Sequence, residues 1–217
     1  MQMWDAQADA LRDFDVVRLE HPGHGGEQMI ELRDVGDLAR RVLAAVQSER
    51  FSFVGLSLGG AVGMQLALDA PERLDRLVLA CTSARFGSRE TWDERIALVR
   101  ENGMEAIADA VLPRWFTPAF EDVQTFRAML VATAPEIYVR YCELLREFDL
   151  RGQLGPIAAP TLAIAGAEDP TSPPEQLDSI AAEITGATVV VIPRAAHLAN
   201  AERPDEFNKA LLAHLAA

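Results

Sequence analysis

Apolar residues follow two rhythms along this chain. Short, nearly continuous apolar runs bounded by turn residues predict strands at Asp15-Val16-Val17-Arg18-Leu19, Phe51 to Leu56, Leu74 to Ala80, Pro160 to Gly166 and Thr188 to Ile192. Between them the apolar positions take a helical period. Over residues 30–49, Leu32, Val35, Leu38, Ala39, Val42, Leu43 and Val46 share one face. Residues 4–12 read as a short helix. A helix over 61–68 ends near Pro71, because proline disfavours helix at the residue before it. Another runs over 204–215 with Pro204 in its first turn. Strands alternating with helices predict an α/β fold, with a mostly parallel sheet covered on both faces.

The alternation stops near residue 84. From there to about 153 the pattern is helical only, with Trp92, Trp115, Phe116, Phe120, Phe126, Tyr138 and Tyr141 scattered through it. Pro113, Pro118 and Pro135 divide this stretch into four short helices, which reads as an inserted helical lid. The expected organisation is a core in two parts, 1–84 and 154–217, around a lid at 85–153. The sequence has no internal repeat and no low-complexity tract.

One junction carries chemistry. The predicted strand at Phe51 runs straight into Gly55-Leu56-Ser57-Leu58-Gly59-Gly60, and a helix follows. A serine on a strand-to-helix turn is lifted above the sheet edge, and glycines at its flanks avoid Cβ collisions with neighbouring backbone. A serine hydroxyl is a weak nucleophile at neutral pH, so it needs a base, and the base needs an orienting acid. On a parallel sheet these come from loops at the carboxyl ends of later strands. The strand ending at Gly166 is followed by Glu168-Asp169, and the one ending at Ile192 by Pro193-Arg194-Ala195-Ala196-His197. The expectation is that Asp169 accepts the Nδ1 proton of His197, and that His197 Nε2 takes the proton of Ser57. Glu168 is the rival acid, expected to point the other way, and Asp149 lies off a strand end. His21 and His24 read as structural residues of a turn-rich loop, and His214 as a surface residue of the last helix.

Composition narrows the field. The chain has 217 residues, enough for a sizeable core, and 49% of them are hydrophobic. A net charge of −13 argues against nucleic acid and anionic membrane surfaces as partners, and means that an acidic substrate needs a local cation. No apolar run reaches the length of a membrane span, and the first residues do not read as a signal peptide. Cys81 and Cys142 have no metal-ligand spacing; both read as small buried hydrophobes in a protein of the reducing cytosol. The expectation is therefore a cytoplasmic protein with no metal. Oligomeric state is not legible.

The whole chain resembles the α/β-hydrolase superfamily and, within it, the 3-oxoadipate enol-lactonases. The resemblance is carried by Phe53 to Gly60, Ala70 to Ala80, Arg114 to Phe120, Glu147 to Arg151, Ile164 to Pro170 and Ala196 to Asn200. The nucleophile and histidine phrases are common to many hydrolases of that fold; those at Arg114-Trp115 and Asp149-Leu150-Arg151 are more particular to the lactonases. The resemblance implies hydrolysis of 3-oxoadipate enol-lactone, in bacterial degradation of aromatic acids, with no cofactor. It implies Leu58 N–H as one oxyanion donor, and Arg114 and Trp115 as contacts for a small anionic lactone or ester. The alternatives are a carboxylesterase of another small ester and a truncated, non-catalytic protein of the same fold.

Two departures from that family stand out. Pro22-Gly23-His24-Gly25 followed by Glu27 stands where relatives have Arg-Gly-His-Gly and then a serine. The chain also opens at the helix of Met3-Trp4, which three strands and a loop precede in the family. The family loop supplies the second oxyanion N–H, and the last of those strands lies between the strand expected at 15–19 and the nucleophile strand.

Overall fold

Four of the five predicted strands form the sheet of the computed structural model, which describes residues 2–217. They are β1 (Phe51–Leu56), β2 (Leu74–Ala80), β3 (Thr161–Gly166) and β4 (Thr188–Ile192). All pair in parallel, in the spatial order β1-β2-β3-β4. Leu56 is level with Ala80, Ala80 with Ile164, and Gly166 with Ile192, so the carboxyl ends of the strands share one edge. The helices are α1 (Val35–Ala45), α2 (Leu58–Asp69), α3 (Arg89–Trp115), α4 (Val123–Val131), α5 (Pro135–Glu147), α6 (Pro174–Glu183), α7 (Ala199–Glu202) and α8 (Pro204–Ala216).

Alternation along the central strands divides the interior into two cores. Leu77 and Leu79 of β2 and Ala163 and Ala165 of β3 enter the first, with Val35 and Leu38 of α1, Met64 and Leu66 of α2, and Leu177 and Ile180 of α6. Val78, Ala80, Leu162 and Ile164 enter the second, with Phe207 and Leu211 of α8 and much of the helical insertion. Successive side chains of a strand point to opposite faces, so a strand covered on both sides must be apolar throughout. Fully buried residues such as Leu77, Leu79 and Ile164 each contribute about 1.5–3 kcal/mol relative to exposure.

Helix α1 is shorter than the period over 30–49 predicts. Asp34 caps it by accepting from the Asp37 N–H at 3.1 Å, and Val46 closes it with a bond from its N–H to the Val42 carbonyl. Leu32 is fully buried but comes from the preceding loop. At the start of the chain, a 3-10 helix (Gln2–Gln7) and turns replace the expected helix over 4–12. This segment is tied to the end of the chain: Gln7 Nε2 donates to the Asn200 carbonyl at 2.9 Å, and Asn200 Nδ2 donates to the Met3 carbonyl at 2.6 Å.

The strand expected at Asp15–Leu19 is absent. The segment has no regular secondary structure and no strand partner, with Val16 46% and Val17 53% exposed. A strand exists only when a neighbour takes its backbone N–H and C=O groups. Among the described residues β1 pairs with β2 alone, and no strand lies between β1 and this segment.

The helical insertion between β2 and β3 opens with a capping box at Ser88 and Thr91. Pro118 lies in the break between α3 and α4 and Pro135 opens α5, as expected, and one further break falls at a glycine. Gly103 sits at φ +75°, a conformation L side chains rarely adopt, and there α3 kinks. Pro113 lies within the last turn of α3 without ending it, although it has no N–H to give the Asp109 carbonyl. The insertion is drawn together at its base. Leu150 N–H donates to the Ala84 carbonyl at 2.8 Å, and Arg85 and Asp149 form an antiparallel bridge. Asp149 also pairs with Arg151 at 2.6 Å, and those hydrogen bonds lower its carboxyl pKa to about 2.

Candidate active site

Ser57 stands between β1 and α2 at φ 54°, ψ −114°, a strained conformation for a residue with a side chain. The turn is held from three sides. Ser57 N–H donates to the Ala80 carbonyl at 2.9 Å. The Ser57 carbonyl accepts from the Gly60 and Ala61 N–H groups and from Thr82 Oγ1 at 2.7 Å. A Cβ on Gly55 would lie 2.0 Å from the Gly59 carbonyl oxygen, so only glycine permits this approach. The equivalent position at Gly59 meets nothing within 4 Å, so the close packing expected on both flanks exists on one. Helix α2 begins at Leu58, earlier than the predicted 61–68. The Leu58 N–H is thus in the first turn, where helix amides have no intrahelical acceptor.

The loops after β3 and β4 bring two more polar groups to this turn. His197 Nε2 lies 2.9 Å from Ser57 Oγ, and His197 Nδ1 lies 2.8 Å from Asp169 Oδ2. Both side chains are buried. Asp169 Oδ1 accepts from the N–H groups of Thr171 at 2.7 Å and Ser172 at 3.0 Å, which fixes the carboxylate plane. The two loops are also tied by the Glu168 N–H, which donates to the Ala195 carbonyl at 2.9 Å. This order of groups can pass a proton from the serine hydroxyl to the imidazole while a buried carboxylate holds the ring.

The other singled-out residues lie elsewhere. Glu168 is exposed. Asp149 serves the base of the insertion. His214 lies against the Pro160 carbonyl at 3.2 Å, at the opposite end of β3 from Asp169. His21 and His24 flank Tyr141 of α5, and the Tyr141 hydroxyl donates to the Pro22 carbonyl at 2.9 Å. Burial, then the neighbouring His24, lowers the pKa of His21 to about 4. Cys81 and Cys142 are free and buried. Burial raises both thiols to about 12, helped at Cys81 by the Asp169 carboxylate.

Arg114 and Trp115 end α3 beside the acid loop. Arg114 is exposed, its Nη2 donates to the Pro170 carbonyl at 3.3 Å, and among the described residues it makes no ion pair. The Trp115 side chain is half-buried against the second core, and its carbonyl accepts from the Leu198 N–H at 3.0 Å. A cavity of about 320 Å³ lies instead between the start of α1 and the end of α5, lined by Arg33, Asp34, Arg40 and Asp149 among others, and no member of the serine–histidine–aspartate chain lines it.

Two polar residues at the site escaped the sequence reading. Thr82 follows the end of β2, an address where polar side chains mark function on a parallel sheet. Glu202 is a buried carboxylate five residues after His197. In the sequence it stands between Ala201 and Arg203 with no motif to single it out.

Comparison with known proteins follows the same lines. A family profile described as the alpha/beta hydrolase family matches residues 2–210. The 3-oxoadipate enol-lactonase 2 of Acinetobacter baylyi is 34% identical, the match covering 97% of this chain and 82% of the relative. The crystal structure of the enol-lactonase from Burkholderia xenovorans LB400 superimposes with a TM-score of 0.95 at 36% identity, covering 100% of this chain and 86% of that one. That of a hydrolase from Pseudomonas aeruginosa PA01 does so with a TM-score of 0.93 at 44% identity, covering 100% and 85%.

Proposed function

We propose that this chain, which belongs to the alpha/beta hydrolase family, hydrolyses a small anionic lactone of the 3-oxoadipate enol-lactone type, with Ser57 as nucleophile, His197 as base and Asp169 as its orienting acid. The observation that carries the reading is the unbroken chain Ser57 Oγ–His197–Asp169, with the serine on its strained turn.

In the proposed reaction, Ser57 Oγ attacks the lactone carbonyl carbon as His197 Nε2 takes the hydroxyl proton. The oxyanion that forms accepts from the Leu58 N–H at the start of α2. Collapse of the tetrahedral intermediate breaks the ring C–O bond. The enolate oxygen leaves with the proton held by His197, and the enol becomes a ketone. Water then attacks the acyl-serine with His197 again as base, releasing the second carboxylate and restoring Ser57. Asp169 keeps the Nδ1 proton in place throughout, so that Nε2 presents its lone pair to the serine. Support for the lactone comes from the enol-lactonase relatives and from Arg114, a cation beside the acid loop with no ion-pair partner among the described residues. In a chain of net charge −13 such a cation is what an anionic substrate requires.

The second reading is a carboxylesterase of another small ester. It is favoured by Arg114 donating to the Pro170 carbonyl and by the 44%-identical relative being described only as a hydrolase. Steady-state hydrolysis of the enol-lactone beside a panel of neutral p-nitrophenyl esters separates the two. The lactonase reading expects kcat/KM for the lactone to exceed that for every neutral ester. Ser57→Ala is expected to abolish turnover of all of them, and normal turnover by that variant would remove the serine from its role.

A further inference from the structure

Glu202 closes α7 with a buried side chain, and no cation pairs with its carboxylate among the described residues. Its oxygens are divided between two parts of the chain. Oε2 accepts from the Ala196 N–H at 2.8 Å, the amide immediately before His197. Oε1 accepts from the Thr117 N–H at 3.0 Å and from the Thr117 hydroxyl, just beyond the end of α3. All three partners are donors. A buried carboxylate is retained only where donors satisfy it, and here one side holds the histidine loop while the other holds the helical insertion. The Leu198 N–H bond to the Trp115 carbonyl doubles the tie on the far side of His197.

We infer that Glu202 is a positioning residue for His197, setting the imidazole against Ser57 by anchoring the Ala196 amide. The inference rests on the serine–histidine–aspartate reading given above. Glutamine is the informative replacement because it keeps the shape. Its amide presents one acceptor and one donor where the site offers only donors on the Ala196 side. The thr hydroxyl on the other side can rotate to accept, but the Thr117 N–H cannot. Either orientation leaves an amide N–H facing a backbone N–H. The His197 loop then shifts without loss of a side chain that substrate touches.

The test uses the full chain and a fluorophosphonate probe, whose phosphorus is attacked by a serine Oγ with loss of fluoride. Wild-type protein is expected to be labelled at Ser57. Glu202→Gln is expected to melt cooperatively, to be labelled about 10- to 100-fold more slowly, and to lose kcat for ester hydrolysis by the same factor. Its KM should stay within about twofold, since the chemistry rather than substrate binding is disturbed. Thr117→Val, which removes only the hydroxyl on the insertion side, is expected to stay within about threefold of wild type in both readouts.

Labelling of Glu202→Gln at the wild-type rate would overturn the inference while leaving Ser57 in place. So would an equal loss in Thr117→Val, or a rise in KM at constant kcat. Wild-type protein that is not labelled at Ser57 would overturn the serine–histidine–aspartate reading itself, and this inference with it. Should Glu202→Gln fail to fold, Glu202→Asp keeps the charge but is one methylene too short to span both anchors. The same slow labelling is then expected, and a full rate in that variant would overturn the proposal.

Discussion

Replacing Asp169 by asparagine isolates what the buried acid does. Asp169 Oδ1 accepts two backbone N–H bonds, from Thr171 and Ser172, while Oδ2 faces His197 Nδ1. An asparagine must choose how to sit in that frame. With its carbonyl oxygen in the Oδ1 position it keeps both backbone bonds. With its amide there, two buried N–H groups lose their acceptor, at about 1–3 kcal/mol each. The first orientation therefore wins by about 2–6 kcal/mol, and the amide nitrogen is turned toward His197. Imidazole Nδ1 must then accept rather than donate, so its proton moves to Nε2, the atom 2.9 Å from Ser57 Oγ. The base has lost its lone pair at the place where the reaction needs it.

That wrong tautomer costs a serine protease about 10⁴ in kcat, equivalent to about 5.4 kcal/mol of barrier. The same is expected here. Stability should barely move, because the variant keeps all three hydrogen bonds at the site, and the thermal midpoint should stay within about 4 °C. Initial rates of p-nitrophenyl acetate and enol-lactone hydrolysis, measured beside a thermal melt, read both quantities. Glu168→Gln serves as the control and should be within about twofold of wild type, since an exposed side chain has no fixed partner to lose. An Asp169→Asn variant that keeps more than about a tenth of wild-type kcat, or a Glu168→Gln variant that loses most of it, would refute the reasoning.

Two other outcomes are expected. Arg114→Ala should raise KM for the anionic lactone roughly tenfold while leaving a neutral ester nearly unchanged, because a charged hydrogen bond is lost only in the first case; equal effects would take Arg114 out of carboxylate recognition. His21 is held neutral to about pH 4 when folded, whereas an unfolded histidine titrates near 6.5. The unfolded chain therefore binds the extra proton first, so this contribution to stability is complete above about pH 6.5 and falls as the pH drops toward 4. Urea midpoints at pH 7 and pH 5 should differ less in His21→Gln than in wild type, and an unchanged difference would show that His21 is not the titrating group.

How much of this could be read from the sequence depends on whether a property belongs to one segment or to a pair. The strands from Phe51, Leu74, Thr161 and Thr188 are covered on both faces or lie against such strands, so their apolar runs mark them without reference to partners. The loops after Gly166 and Ile192 follow from strand position alone, and that is enough to bring Asp169 and His197 to Ser57. Val16 and Val17 have the same local composition, yet they form no strand, because pairing is a property of two segments and none of the described strands pairs with this one. Pro118 and Pro135 mark two breaks of the insertion, but α3 continues through Pro113 and kinks instead at Gly103, whose positive φ no neighbouring residue announces. Glu202 was hidden for a related reason. Its partners are main-chain N–H groups at Ala196 and Thr117, which every sequence supplies and no motif marks. The residues proposed to perform chemistry were therefore legible from type and address. Those that hold them in place emerge only once the fold has decided which amides are left without an acceptor.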